Sequence, residues 1–201
     1  MTDKQIERIK KKIRAYRARL AAEKRTWGIY DDSRGVRYVI PELYFKIKDY
    51  KGAMTYFRWF AKSFPDDIGY PDFNLLWSAT LFENNKIPDA IKKAYETAFS
   101  NTYLLDLING KKPLPLDKSE TMGFEPIDYA LEVYEDSIKL ISLEFQIWIS
   151  NLSETDEFKN NLNRFISLQK LIKDEHVGPM RTHLIQESDK FERLLTGRLR
   201  N

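Results

Sequence analysis

The residues best able to do chemistry are few, and their spacing works against it. His176 and His183 are the only histidines, with Asp174, Glu175 and Glu187 nearby. Imidazole and carboxylate are zinc ligands, but a zinc-binding helix needs its histidines one turn apart, and Gly178-Pro179 interrupts the chain between these two. Glu125, Asp128, Glu132 and Glu135 place carboxylates along one helical stretch. Acid–base catalysis needs two such groups with well-separated pKa values, and nothing in the surrounding sequence would separate them, so they read as solvated charge. The absence of cysteine excludes disulfides, thiolate metal sites and a cysteine nucleophile. Glycine-rich phosphate loops and a G-x-S-x-G elbow are missing too. We therefore expect a non-catalytic chain with no cofactor and no metal.

Charge offers a second kind of chemistry. Residues 1–25 hold ten Lys/Arg against three acids, although the whole chain carries only +3. Cations strung along one helix can neutralise phosphates, which makes Lys10, Lys11, Arg14 and Arg17 candidates for nucleic-acid contact. Their charges lie on several faces and no base-reading motif accompanies them, so a solvated face on a capping or dimerising helix is the preferred reading. Ile6, Ile9, Ile13, Tyr16 and Leu20 recur at alternating steps of three and four. That spacing predicts an amphipathic helix over 3–25 with a narrow, coiled-coil-like seam, continued by Trp27. The seam can pair with a second copy in a homodimer or fold back onto the chain. It is too narrow for a membrane-surface helix.

The positioning elements are all helical. A composition of 42% hydrophobic residues with 12 Phe, 11 Tyr and 4 Trp excludes disorder and calls for a core. No run approaches the ~18 apolar residues of a membrane span, and residues 1–25 lack a signal-like apolar stretch, so a cytoplasmic location is expected. Residues 31–35 form a turn that caps the next helix. Helices are predicted over 36–47, with Pro41 as a potential kink, and over 50–64. A second pair is predicted over 73–83 and 88–100. A short helix over 104–108 ends at Gly110, and 111–115, with two prolines, is the best internal boundary. Beyond it come a helix over 126–149, broken near Asp136-Ser137, and two more over 154–175 and 180–198.

The first hairpin, Leu43 to Asp67, resembles the tetratricopeptide repeat family. Tyr44 stands at the family's aromatic site on the first helix, and Asp49-Tyr50 lies in its Gly-Asp-Tyr turn with Lys48 in place of glycine. Ala53 takes the small-residue crossing site, Phe57 the next aromatic site, and Pro65 the terminating proline. The second hairpin matches less fully, through Trp77, Leu81, Asn85, Ala90 and Ala94. Ala53 and Ala90 lie 37 residues apart, against a family period of ~34. Asn101 to Leu105, Leu107 to Pro115 and Gly123-Phe124 also resemble a stretch that comes after the hairpins in bacterial repeat proteins and in the suppressor-of-tumorigenicity family.

The resemblance implies an all-α superhelix. Two degenerate hairpins (31–110) are capped by the basic N-terminal helix (1–30) and by about three C-terminal helices (111–201), in one continuous domain. Caps are needed because stacked repeats require about three units to bury their faces. It further implies a scaffold or adaptor that binds a peptide or partner helix on its concave face. The residues so placed are Tyr38, Glu42, Phe45 and Lys46, with Asp72, Leu76, Ala79, Phe82 and Glu83. Family members that clamp a terminal carboxylate use basic side chains where this sequence has Tyr38 and Glu42, which argues against that ligand. The competing expectation is that Phe45, Leu76 and Phe82 pack beneath the caps.

Overall fold

The structure, a computed structural model, describes residues 1–30 and 32–197. Among these the fold is all-α, with ten helices and no strand, and no helix is long and apolar enough to cross a membrane. Asp31 of the expected turn and Arg198 of the expected last helix lie outside the described residues. The chain forms two compact units, Met1–Asp67 and Ile68–Asn201. Their division falls between the two hairpins, whereas the sequence reading kept both hairpins together and placed its sharpest boundary at 111–115.

The first unit contains α1 (Asp3–Trp27), α2 (Val36–Lys46) and α3 (Tyr50–Ser63). A reciprocal capping box starts α1: the Thr2 hydroxyl accepts from the Gln5 amide, and the Gln5 side chain accepts from the Thr2 amide at 2.8 Å. At its far end Gly28 turns the chain with φ of 72°. The α2 N-terminus is capped from outside the helix. The buried Asp32 carboxylate accepts from the Val36 and Arg37 amides, each at 2.8 Å, and pairs with the Arg37 guanidinium at 3.4 Å. Arg37 also meets Asp67 at 2.9 Å, so the chain's entry into α2 is tied to its exit from α3. The helix runs on through Pro41.

Core side chains come from all three helices: Ile13 and Leu20, then Ile40, Leu43 and Tyr44, then Ala53, Tyr56, Phe57 and Phe60. Full burial of each large side chain contributes about 1.5–3 kcal/mol. Trp27, expected to extend the seam, is instead 70% exposed, because α1 stops there. Gly52 has a steric role the sequence reading missed. An added Cβ would collide with the Tyr44 ring and with the Asp49 carboxylate that caps α3.

The second unit contains α4 (Pro71–Glu83), α5 (Ile87–Ser100), α6 (Leu104–Ile108), α7 (Ile127–Leu140), α8 (Leu143–Ser153), α9 (Asp156–Asp174) and α10 (Pro179–Thr196). Four helices come after α6 where about three were expected. The chain breaks at Ile141-Ser142 rather than near Asp136-Ser137, which stays helical. Ser142 decides the position: its hydroxyl accepts from the Phe145 amide at 3.1 Å to start α8 and donates to Glu83 of α4. Gln146 then satisfies the Ile138 and Ile141 carbonyls, both at 3.1 Å.

The two hairpin turns are built alike. In the first, the Asp49 amide donates to the Tyr44 carbonyl at 3.0 Å and the Lys48 amide to Phe45 at 2.9 Å. In the second, Lys86 donates to Leu81 at 2.8 Å and Asn85 to Phe82 at 2.9 Å. This is the Schellman pattern, which needs a left-handed residue. Lys48 (φ 55°) and Asn85 (φ 56°) supply it without glycine. Each turn residue lies 37 positions from its counterpart, the interval that also separates Ala53 from Ala90.

These caps set two expectations for stability. A left-handed side-chain residue costs roughly 1–2 kcal/mol, partly offset by glycine's extra freedom in the unfolded chain, ~0.5–1 kcal/mol. Lys48→Gly therefore raises the unfolding free energy by about 0.5–1 kcal/mol in urea titrations, while Lys48→Val lowers it. Asp32→Ala costs about 2 kcal/mol in the same assay, with Asp32→Asn intermediate; an Asp32→Ala chain as stable as the parent would contradict the cap.

Candidate functional site

Most of the residues expected on a concave face are already occupied. In the first unit Tyr38 is half-buried. Its hydroxyl donates to Asp67 at 2.6 Å and accepts from Arg37 at 3.0 Å, whose guanidinium lies 4.6 Å from the Tyr38 ring. Burial and the Asp67 carboxylate both push the Tyr38 phenol above its ordinary range. Phe45 is corrected from surface to interior: it is 3% exposed and packs edge-on to Tyr50 at 5.4 Å. Glu42 and Lys46 remain accessible as an ion pair one turn apart, at 3.5 Å.

In the second unit the corresponding face of α4 is covered by later helices. Leu76 and Ala79 are buried, a correction to Leu76 as a binding residue. Phe82 packs against Phe145 at 5.6 Å and Trp148 at 5.1 Å, both on α8. Glu83 accepts the Ser142 hydroxyl, and Asp72 accepts that of Tyr129 on α7 at 2.8 Å. The cause is the unmet need of a lone hairpin to bury its outer face, which α7 and α8 satisfy. This is the covering that the competing expectation allowed for Leu76 and Phe82.

The same unit holds a cavity of about 270 Å³ between α5, α9, α10 and residues 119–125. Phe99, Phe165, Ile172 and Ile185 supply its apolar walls. Three of its polar side chains brace the helices around it. Gln169 donates to Ser188 at 2.9 Å, and Arg181 donates to the Ile172 and Glu175 carbonyls at the end of α9. Sequence reasoning also missed a polar knot around the α5–α6 joint. The buried Asn101 side chain accepts from the Tyr103 and Leu104 amides and donates to the Phe124 carbonyl at 2.8 Å. Tyr103 in turn donates to Glu120, and the buried Lys118 pairs with that carboxylate at 3.0 Å. Tyr103 and Asn101 were visible only as family-like residues, with no chemical signal.

His176 and His183 are both exposed. Among the described residues no three His, Asp or Glu side chains come together as metal ligands. Glu125 is held by the Thr121 and Met122 amides, while Asp128, Glu132 and Glu135 are exposed.

The N-terminal half of α1 carries no buried side chain. None of residues 1–12 is buried, and the first buried side chain is Ile13. Ile6 and Ile9 are partly buried, and Met1, Gln5, Arg8, Ile9 and Lys12 line a shallow surface depression. Lys10, Lys11 and Arg14 are exposed, Lys10 beside Glu7 at 3.1 Å. Arg17 is drawn into the unit, donating to the Tyr44 hydroxyl at 3.3 Å. Length explains the division. The 25 residues of α1 span about 37 Å, against about 16 Å for the 11 residues of α2 on which it packs.

The carboxyl of the partly buried Asp72 makes a pH prediction. Burial raises its pKa above the ordinary 3.8, against a smaller lowering by the Tyr129 hydrogen bond. Its contribution to stability is complete below the ordinary value and is lost as pH rises through the elevated native one. Asp72→Asn keeps an acceptor for Tyr129 and removes that loss. The variant's urea midpoint should fall less than the parent's between pH 4 and 7, whereas parallel profiles would contradict the assignment.

No protein-family model, no curated protein and no solved structure matches this chain.

Proposed function

We propose that the chain is a non-catalytic protein–protein interaction adaptor of the tetratricopeptide-like class, engaging its partner through the open half of α1. The observation that carries this reading is the seam of residues 1–12, where no side chain is buried: two isoleucines at helical spacing, only partly covered, on a helix more than twice as long as the one beneath it. An apolar stripe left accessible on a regular helix is the form in which helix-in-groove recognition presents its anchors. The paired Schellman turns, 37 residues apart, support the repeat-like part of the reading. The concave face contributes little beyond Glu42 and Lys46.

A second reading, nucleic-acid binding, has its own observation in the exposed Lys10, Lys11 and Arg14. One experiment separates the two. The tagged full chain is recovered from its own cells at moderate salt, with and without nuclease, beside an Ile6→Glu/Ile9→Glu variant. We expect a protein partner that survives nuclease and is lost with the variant. Recovery that vanishes with nuclease, or a partner indifferent to the variant, overturns the adaptor reading.

A further inference from the structure

The flanks of the open seam carry information about what lies on it. In a helical seam with anchors Ile6, Ile9, Ile13, Tyr16 and Leu20, the residues bordering a partner helix are Gln5, Lys12 and Arg19 on one side and Lys10, Arg17 and Lys24 on the other. Five of these six positions are cationic. Within the open half, Lys10 and Lys12 are both exposed, and the Lys12 ammonium lies 5.4 Å from the Tyr16 ring, alongside the seam. From this juxtaposition we infer that the open half of α1 receives an acidic amphipathic helix of another protein, its apolar residues on Ile6 and Ile9 and its carboxylates against Lys10 and Lys12.

A second copy of α1 is disfavoured as the occupant by the same charges. Antiparallel pairing sets the Lys10 flank against itself, and parallel pairing offers Lys10 only Gln5 and Lys12 only Arg17, a cation already bonded to Tyr44. Like charges set across a seam oppose association, whereas carboxylates at the facing positions favour it and speed encounter. A nucleic-acid strand would use the cations but leave the isoleucines wet, so it accounts for half of the surface. The helical partner uses both.

This inference rests on the adaptor reading and extends it to the partner's chemistry, and its test needs no knowledge of the natural partner. The probe is a labelled synthetic peptide of about three heptads, Leu and Ile on one stripe and Glu at the flanking positions, titrated against the full chain by fluorescence anisotropy. A peptide with Lys at those flanks and an oligouridylate of about 20 nucleotides serve as comparisons. The Glu peptide should bind at least about tenfold more tightly than the Lys peptide, and more weakly as salt rises. Ile6→Asp/Ile9→Asp should abolish the preference. Lys10→Glu/Lys12→Glu, at exposed positions where folding is undisturbed, should invert it toward the Lys peptide, with circular dichroism confirming unchanged helix content. Equal binding of the two peptides, an unaltered preference in the charge-reversed chain, or tighter oligouridylate binding that ignores the isoleucine substitutions would each overturn the inference. If the peptides fail while a nuclease-resistant partner is still recovered from cells, the acidic-helix assignment falls and the adaptor reading stands.

Discussion

A helix hairpin buries only the faces its two helices turn toward each other, so any further apolar stripe must find another helix or stay in water. The second unit satisfies that demand with aromatic contacts. Tyr95 of α5 stacks on Phe158 of α9 at 4.4 Å, and Phe99 meets Phe165 at 4.6 Å, while Phe82 of α4 is taken up by α8. Such pairs add about 0.5–1.5 kcal/mol beyond the area they bury, and they fix α9 against α5 at two points. In the first unit α1 alone meets the demand. It commits Ile13 and Leu20 to the interior and has length left over.

Backbone termini impose the second constraint. Each helix leaves unpaired amides at its start and carbonyls at its end, and the loops are arranged to answer them. Asp32 answers for α2, Asp49 for α3, Ser142 for α8 and Thr155 for α9. Arg181 of α10 answers the last carbonyls of α9. Several of these caps also cross between elements, as when Ser142 reaches Glu83. Many of the chain's polar side chains are thus engaged in holding helices in place.

How far the sequence could be read depends on the range of each interaction. Periodicity and breakers located α2, α3, α5 and α6 to within about two residues, because caps and prolines act locally. The two hairpin turns were legible for the same reason, down to Lys48 standing where glycine is usual. The break between α7 and α8 was misplaced because Asp136-Ser137 has a local breaker's composition, whereas the true break lies at Ser142, which caps the Phe145 amide and is also held by Glu83, distant in sequence. Phe45 and Leu76 were assigned to a face by analogy, and burial depends on which helices later cover that face. For α1 the spacing named the seam correctly. It could not say how much of it would be covered, although the lengths of the neighbouring helices hold that answer.

A partner can dock on the first twelve residues of α1 only if they are open in the protein on its own. Amide hydrogen exchange of the full chain, read out by mass spectrometry, tests this directly. Amides of residues 3–12 should exchange at least about tenfold faster than those of 13–23, since no buried contact holds the first stretch down, and should slow when an acidic helical peptide is added. Equal protection of both stretches in the unbound chain would mean that the seam is already covered, and would contradict the open seam on which partner binding depends.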